Sequence, residues 1–216
     1  MKIYAISGLG ADERLFSRLE LQHEIVFLDW QSIENCPDIK TYAKRFLVNI
    51  DTSTPSGLLG VSFGGMICSE LSHLCSPQFV ILISSAENRK ELPKIYRMAG
   101  ETDIVKLFPK SVIGSGRFAI PMAVLKKMFG SESALLEDYI TNADADFGKW
   151  AAQLICKWEN KKVISQPKLK IKGNKDLILP LTDNTMEIIK EAGHLMVYEN
   201  AHEVSEIVNN WFLKQI

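Results

Sequence analysis

The chain alternates short, nearly continuous apolar runs with stretches whose apolar residues recur at helical spacing. Residues 2–7 (KIYAIS), 24–30 (EIVFLDW), 56–62 (SGLLGVS) and 78–85 (QFVILISS) are of the first kind. Runs with no polar face suit strands covered on both sides, as in a parallel sheet. Between them, Tyr42, Ala43, Phe46, Leu47 and Ile50 are spaced for a helix, and residues 64–75 (GGMICSELSHLC) read as another. Residues 167–173 and 186–193 resume the strands, and Val204, Ile207, Val208, Trp211 and Phe212 mark a closing helix. Strand alternating with helix predicts an α/β fold, a doubly wound and mostly parallel sheet of about six strands.

The alternation is interrupted once. From residue 88 to residue 160 the pattern is helical or irregular, with Pro93, Pro109 and Pro121 and Gly114, Gly116 and Gly130 breaking it into short helices. Phe147, Trp150, Ala151, Leu154, Ile155 and Trp158 form one apolar stripe in it. The expected organisation is a core from residues 1–87 and 161–216 with a helical insert at 88–160. In the first insert helix, Tyr96 and Met98 are the positions expected to set substrate preference.

Composition narrows the function classes. The formal net charge is −1, which supplies no bulk attraction to nucleic acid or an anionic membrane. No apolar run approaches the ~18 residues that cross a bilayer, and the first ten residues read as a strand rather than a signal peptide. Cys36, Cys68, Cys75 and Cys156 show no metal-ligand or redox spacing. A cytoplasmic protein without a metal is the expectation.

Candidate chemistry begins at GVSFG, residues 60–64, which places Ser62 between a strand and a helix. A turn this sharp strains its central residue, and a Cβ two positions before or after it would clash. The serine hydroxyl then stands at the carboxyl edge of the sheet, beside the N–H groups of a helix start that favour negative charge. A serine needs a base. Of the four histidines, His23, His73 and His202 read as surface or packing residues, whereas His194 follows Gly193 in the loop just beyond the last strand. The base needs a carboxylate. Asp176, just past the strand at 168–173, is first; Glu87 and Asp183 stay open as rivals. The amide of Phe63 and one from the loop SGLG (residues 7–10) would form an oxyanion hole, Leu9 first, with Gly8 and Gly10 as register alternatives.

These pieces resemble the α/β-hydrolase superfamily, whose chain order of nucleophile, acid and histidine is that of Ser62, Asp176 and His194. The glycine loop after the first strand, the insert after the strand that follows the nucleophile helix and the terminal helix fit as well. Three features depart from the usual pattern. The chain begins directly at the glycine-loop strand, Ser7 stands where many relatives carry histidine, and the connection from residue 173 to residue 187 leaves room for a turn rather than a crossover helix. The resemblance implies a serine hydrolase with a helical cap, needing neither metal nor organic cofactor and acting on a small-molecule ester. An acyl-thioesterase is the alternative. It is suggested by the excess of Lys and Arg over acids at residues 88–127, at positions 89, 90, 94, 97, 106, 110, 117, 126 and 127. A hydrolase-like binding protein with an inactive site is the reading of another class.

Overall fold

The computed structural model describes residues 1–102, 120–181 and 186–215. Six strands form one sheet in the order β2-β1-β3-β4-β5-β6: β1 (Lys2–Ile6), β2 (Glu24–Phe27), β3 (Ser56–Val61), β4 (Val80–Ile83), β5 (Lys168–Gly173) and β6 (Glu187–Ile189). Every neighbouring pair is parallel. The period of two along each strand divides the core into two faces. Ile3, Ala5, Leu59, Val61, Ile81 and Ile83 pack toward Val204, Val208 and Phe212 of the terminal helix. Tyr4, Ile6, Leu58, Val80 and Leu82 pack the other way, with Tyr42, Phe46, Met66 and Ile67. Both faces are apolar because helices cover both.

The helices are α1 (Ile39–Ala43), α2 (Phe63–Cys75), α3 (Lys94–Glu101), α4 (Met122–Phe129), α5 (Ala134–Thr141), α6 (Ala145–Lys157), α7 (Met196–Glu199) and α8 (Ala201–Leu213). The helical pattern at 41–50 is split: α1 starts at the Asp38 cap, whose carboxylate accepts from Thr41 N, and a 3-10 turn carries on over Lys44–Asn49. Between β4 and β5 the described residues hold only helices and turns. No helix among the described residues is long and apolar enough to cross a membrane.

Strand β5 departs from the apolar rule. Leu169 and Ile171 join the terminal-helix face, while Lys168, Lys170 and Lys172 alternate onto the other. Lys170 and Lys172 are buried. Burying an ammonium is costly unless it is paired; Lys172 Nζ donates to Pro180 O at 3.2 Å, and the partners of Lys168 and Lys170 come from where the insert leaves the core. Glu87, just after β4, accepts from Lys168 Nζ at 2.6 Å and from Ile164 N at 2.6 Å. Glu91 accepts from Lys170 Nζ at 2.7 Å and from Glu87 N at 3.1 Å. Arg89 N donates to Asn160 O at 2.8 Å, and its guanidinium donates to the carbonyls of Cys156 and Trp158. The exit of the insert at 87–91 and its return at 156–164 are therefore tied together by buried charge.

Glu87→Gln removes a buried charge partner from Lys168 and Lys170. Loss of one member of a buried pair costs about 3 kcal/mol at the lower end of the usual range, and the lower end applies because Glu91 still meets Lys170. Urea unfolding should show that loss, with the midpoint lowered and the slope unchanged. An unchanged midpoint would contradict the structural role given to Glu87.

Candidate active site

The chain leaves β3 through Ser62, whose backbone takes φ 53° and ψ −121°, a left-handed value for a residue with a side chain. Such conformations cost about 1–3 kcal/mol and persist only where their surroundings hold them. Ser62 N donates to Ile83 O at 3.0 Å, and Ser62 O accepts from Ser85 Oγ at 2.6 Å and from Gly65 N at 3.0 Å. Two glycines make the turn possible. A Cβ on Gly60 would overlap the backbone of Gly64 and Gly65, and a Cβ on Gly64 would overlap the carbonyls of Ile6 and Ser7. The second crowding comes from the end of β1 rather than from across the turn.

His194 and Asp176 meet Ser62 at the carboxyl edge. His194 Nε2 is 2.8 Å from Ser62 Oγ, and His194 Nδ1 is 2.7 Å from Asp176 Oδ2. Asp176 and His194 are buried. The other oxygen of Asp176, Oδ1, accepts from Ile178 N at 2.9 Å and Leu179 N at 3.0 Å, so the carboxylate is fixed by its own turn. That turn follows β5, and β6 lies beside it in parallel register, Gly173 opposite Ile189. No helix occupies the described part of the connection, 174–181. His194 N donates to Phe129 O at 2.6 Å, and the Phe129 ring stands edge-on to the imidazole at 5.4 Å.

The structure brings together Ser62, Asp176 and His194. It places Glu87 in the β5 lysine cluster instead. Asp183 lies outside the described residues. His23 packs against the Phe212 ring, and His202 is exposed beside Glu206. Among the described residues there is no group of His, Cys, Asp and Glu that could hold a metal ion.

The glycine loop reaches the serine directly: a Cβ on Gly8 would stand 3.4 Å from Ser62 Cβ. Gly10 turns the loop with φ +75°, and Ala11 N closes it onto Gly8 O at 2.9 Å. Ala11 O then accepts from both Ser7 Oγ at 2.7 Å and Trp30 Nε1 at 2.8 Å. Of these two anchors of the Leu9 segment, Ser7 stands out in the sequence as the residue that replaces a histidine, whereas Trp30 is not singled out. Ser7 carries a signal as the first residue after β1, whereas Trp30 reaches the loop only because β2 runs beside β1. Phe63 is buried among the rings of Trp30, Tyr42 and Trp150, which fixes the first residue of α2.

A cavity of about 570 Å³ opens over Ser62 and His194, walled by the glycine loop, α3 through α6 and residues 178–179. Tyr96 lines it and donates to Ile178 O at 2.9 Å. Met98 does not line it; its side chain is exposed, and the wall is made by Ile95, Tyr96 and Ala99. Helical spacing gives the reason, since residues three and four apart share a face and residues two apart do not. The Cys156 thiol also borders the cavity, and burial raises its pKa, only partly opposed by Arg89. Its thiolate form is thereby disfavoured. At the far wall Tyr139 donates to Asp12 at 3.0 Å, and Arg14 bridges Asp12 and Asp138. Burial alone would raise the Asp12 carboxyl, but the hydrogen bonds from Arg14 and Tyr139 hold it below its ordinary range.

The architecture matches solved structures over nearly its full length. A lipase-esterase related protein from Clostridium acetobutylicum superposes with a TM-score of 0.66 at 18% identity, over 97% of this chain and 93% of that one. A thermophilic esterase from Thermogutta terrifontis gives 0.66 at 16% identity, over 99% and 90%. ClbQ from the colibactin pathway gives 0.61 at 16% identity, over 99% and 97%. This is the α/β-hydrolase fold. No protein-family model and no curated protein sequence matches the chain. At such identities the likeness establishes the α/β-hydrolase architecture and leaves the chemistry to be argued from the site.

Part of the basic excess at residues 88–127 has acidic partners within the chain. Arg89 is committed to backbone carbonyls and Glu101. Lys126 pairs with Glu132 and Glu137. Lys106, Lys110 and Arg117 lie outside the described residues.

Gly60→Ala and Gly64→Ala each force a methyl into backbone atoms that have no room to move. Both variants should lose several degrees of melting temperature, with no soluble form that retains wild-type reactivity at Ser62. Wild-type melting and reactivity in either variant would contradict the turn described above.

Proposed function

We propose that this protein is a serine hydrolase that cleaves a small-molecule carboxylic ester through an acyl-enzyme. The observation that carries the reading is the hydrogen-bonded series Ser62 Oγ, His194 and Asp176 at the mouth of an apolar cavity. In the attacking state His194 holds its proton on Nδ1, facing Asp176, and Nε2 accepts the Ser62 proton as Oγ bonds to the substrate carbonyl carbon. The oxyanion is received by the amides of Phe63 and Leu9, and the start of α2 adds its dipole. The imidazolium returns its proton to the leaving oxygen, and the alcohol departs. Water then repeats the sequence on the acyl-serine, with His194 again taking and returning the proton.

The same steps serve a thioester, which stays the second reading. Its particular support was a basic insert surface, and Arg89 and Lys126 have internal partners. What argues against an inactive binding protein is that Ser62 Oγ, the buried His194 and the buried Asp176 stand in one hydrogen-bonded series at a cavity, which binding alone does not need.

A fluorophosphonate probe should label one residue, Ser62, and Ser62→Ala should take up none. Labelling of Ser62→Ala equal to wild type would overturn the nucleophile. Asp176→Asn tests the acid with little disturbance, because the Asn oxygen can still accept from Ile178 N and Leu179 N. Its amide then presents a donor to Nδ1, the imidazole is driven to the Nε2–H tautomer, and turnover at neutral pH should fall by ~10⁴. Glu87→Gln, by contrast, should keep turnover per folded molecule within about threefold, as its partners lie outside the cavity. Equal turnover of Asp176→Asn and wild type would remove Asp176 from the reaction.

A further inference from the structure

The wall of the cavity over Ser62 and His194 is mostly apolar. Leu125, Phe129, Leu136, Ile140, Phe147 and Ile155 are among the apolar side chains that line it. They come from both core clusters, so the cavity lies where the packing of the two sheet faces meets above the carboxyl edge. Its polar groups are few and mostly committed. The Tyr96 hydroxyl donates to Ile178 O and the Tyr139 hydroxyl to Asp12. The Cys156 thiol is held neutral by burial. Asp144 lines the cavity from an exposed position, with Oδ1 accepting from Asp146 N and Phe147 N at the start of α6. No lysine or arginine is among the described residues that line the cavity, so none there can meet a carboxylate. A polar substituent carried inside would lose its water without replacement.

Size points the same way. A volume of about 570 Å³ is within the roughly 300–1,000 Å³ of pockets that enclose a whole organic ligand. An acetyl group would leave most of it without contacts. Each further methylene taken from water into such a wall is worth about fourfold, the equivalent of ~0.8 kcal/mol. On the hydrolase reading above, on which this inference rests, we infer that the substrate is an ester of an uncharged, medium-chain aliphatic or aryl-alkyl acid, and that the apolar interior excludes acids bearing a second carboxylate.

The experiment uses the purified full chain and p-nitrophenyl esters. From acetate through butyrate to octanoate, kcat/KM should rise by about 100-fold, a fraction of the full per-methylene gain. The half-ester of suberic acid, of the same length as octanoate but ending in carboxylate, should be at least ~100-fold poorer than octanoate. Ala152→Phe, which adds bulk to the wall from a half-buried position on α6, should move the optimum toward butyrate. Asp144→Asn keeps the helix cap and removes the rim charge; the suberate half-ester should stay excluded in it. A flat or falling chain-length series, or recovery of the suberate half-ester in Asp144→Asn, would overturn the inference. Fluorophosphonate labelling of the same preparations separates the two levels. Labelled Ser62 with the wrong preference sinks only the substrate class, whereas unlabelled Ser62 with no ester turned over sinks the hydrolase reading itself.

Discussion

Everything in this structure depends on one backbone conformation, the positive φ of Ser62. It is unfavourable for an L-residue, and three contacts from two parts of the chain hold it. Strand β4 accepts the Ser62 amide through Ile83 O, Ser85 donates to its carbonyl, and the end of β1 closes on Gly64 so tightly that no side chain fits. The result is a hydroxyl standing free of its own strand, at the start of α2 and beside the glycine loop. Had Ser62 continued as extended strand, period two would have turned its side chain onto a covered sheet face. The strain of roughly 1–3 kcal/mol is small against the packing that these elements share, which is why it can persist.

The second requirement is that groups far apart in sequence stay in register with that hydroxyl. A parallel sheet supplies it, because every strand ends at the same edge. His194 and Asp176 follow adjacent strands β6 and β5, and both loops are short. The usual crossover helix is absent from the described part of their connection, and the Asp176 carboxylate takes over part of its task by capping its own turn at Ile178 and Leu179. On the other side, the insert is rooted through Glu87, Glu91, Lys168 and Lys170. Such a base favours an insert that keeps one position over the cavity, since opening it there would expose or unpair buried charge.

Much of the sheet was legible because its strands are covered on both faces and read as unbroken apolar runs. Their ends were less so. The run at 24–30 stops as a strand at Phe27; beyond it Asp29 Oδ1 accepts from Trp30 N and Asp29 O accepts from Gln31 Nε2. The run at 186–193 yields only Glu187–Ile189, because Glu191 takes a positive φ. The serine was legible because glycines at both flanks leave a steric signature. Spacing alone does not choose between Asp176 and Glu87, which both follow strands at the same edge; what separates them is that Asp176 meets His194 while Glu87 answers the lysines of β5. Those lysines alternate with Leu169 and Ile171 in the pattern of a half-exposed strand, yet both faces of β5 are covered. The anchors of the glycine loop, Ser7 and Trp30, meet on one carbonyl only in three dimensions.

The proposed reaction requires Ser62 to carry the substrate's acyl group between two half-reactions. The most direct measurement is acid quenching within the first turnover of an activated ester, followed by intact-protein mass spectrometry and peptide mapping. The account predicts a single acyl adduct on the peptide that contains Ser62, with free alcohol appearing in an initial burst of at most one equivalent. An adduct mapped to another side chain, or turnover of the ester with no adduct at any quench time and no burst, would contradict it.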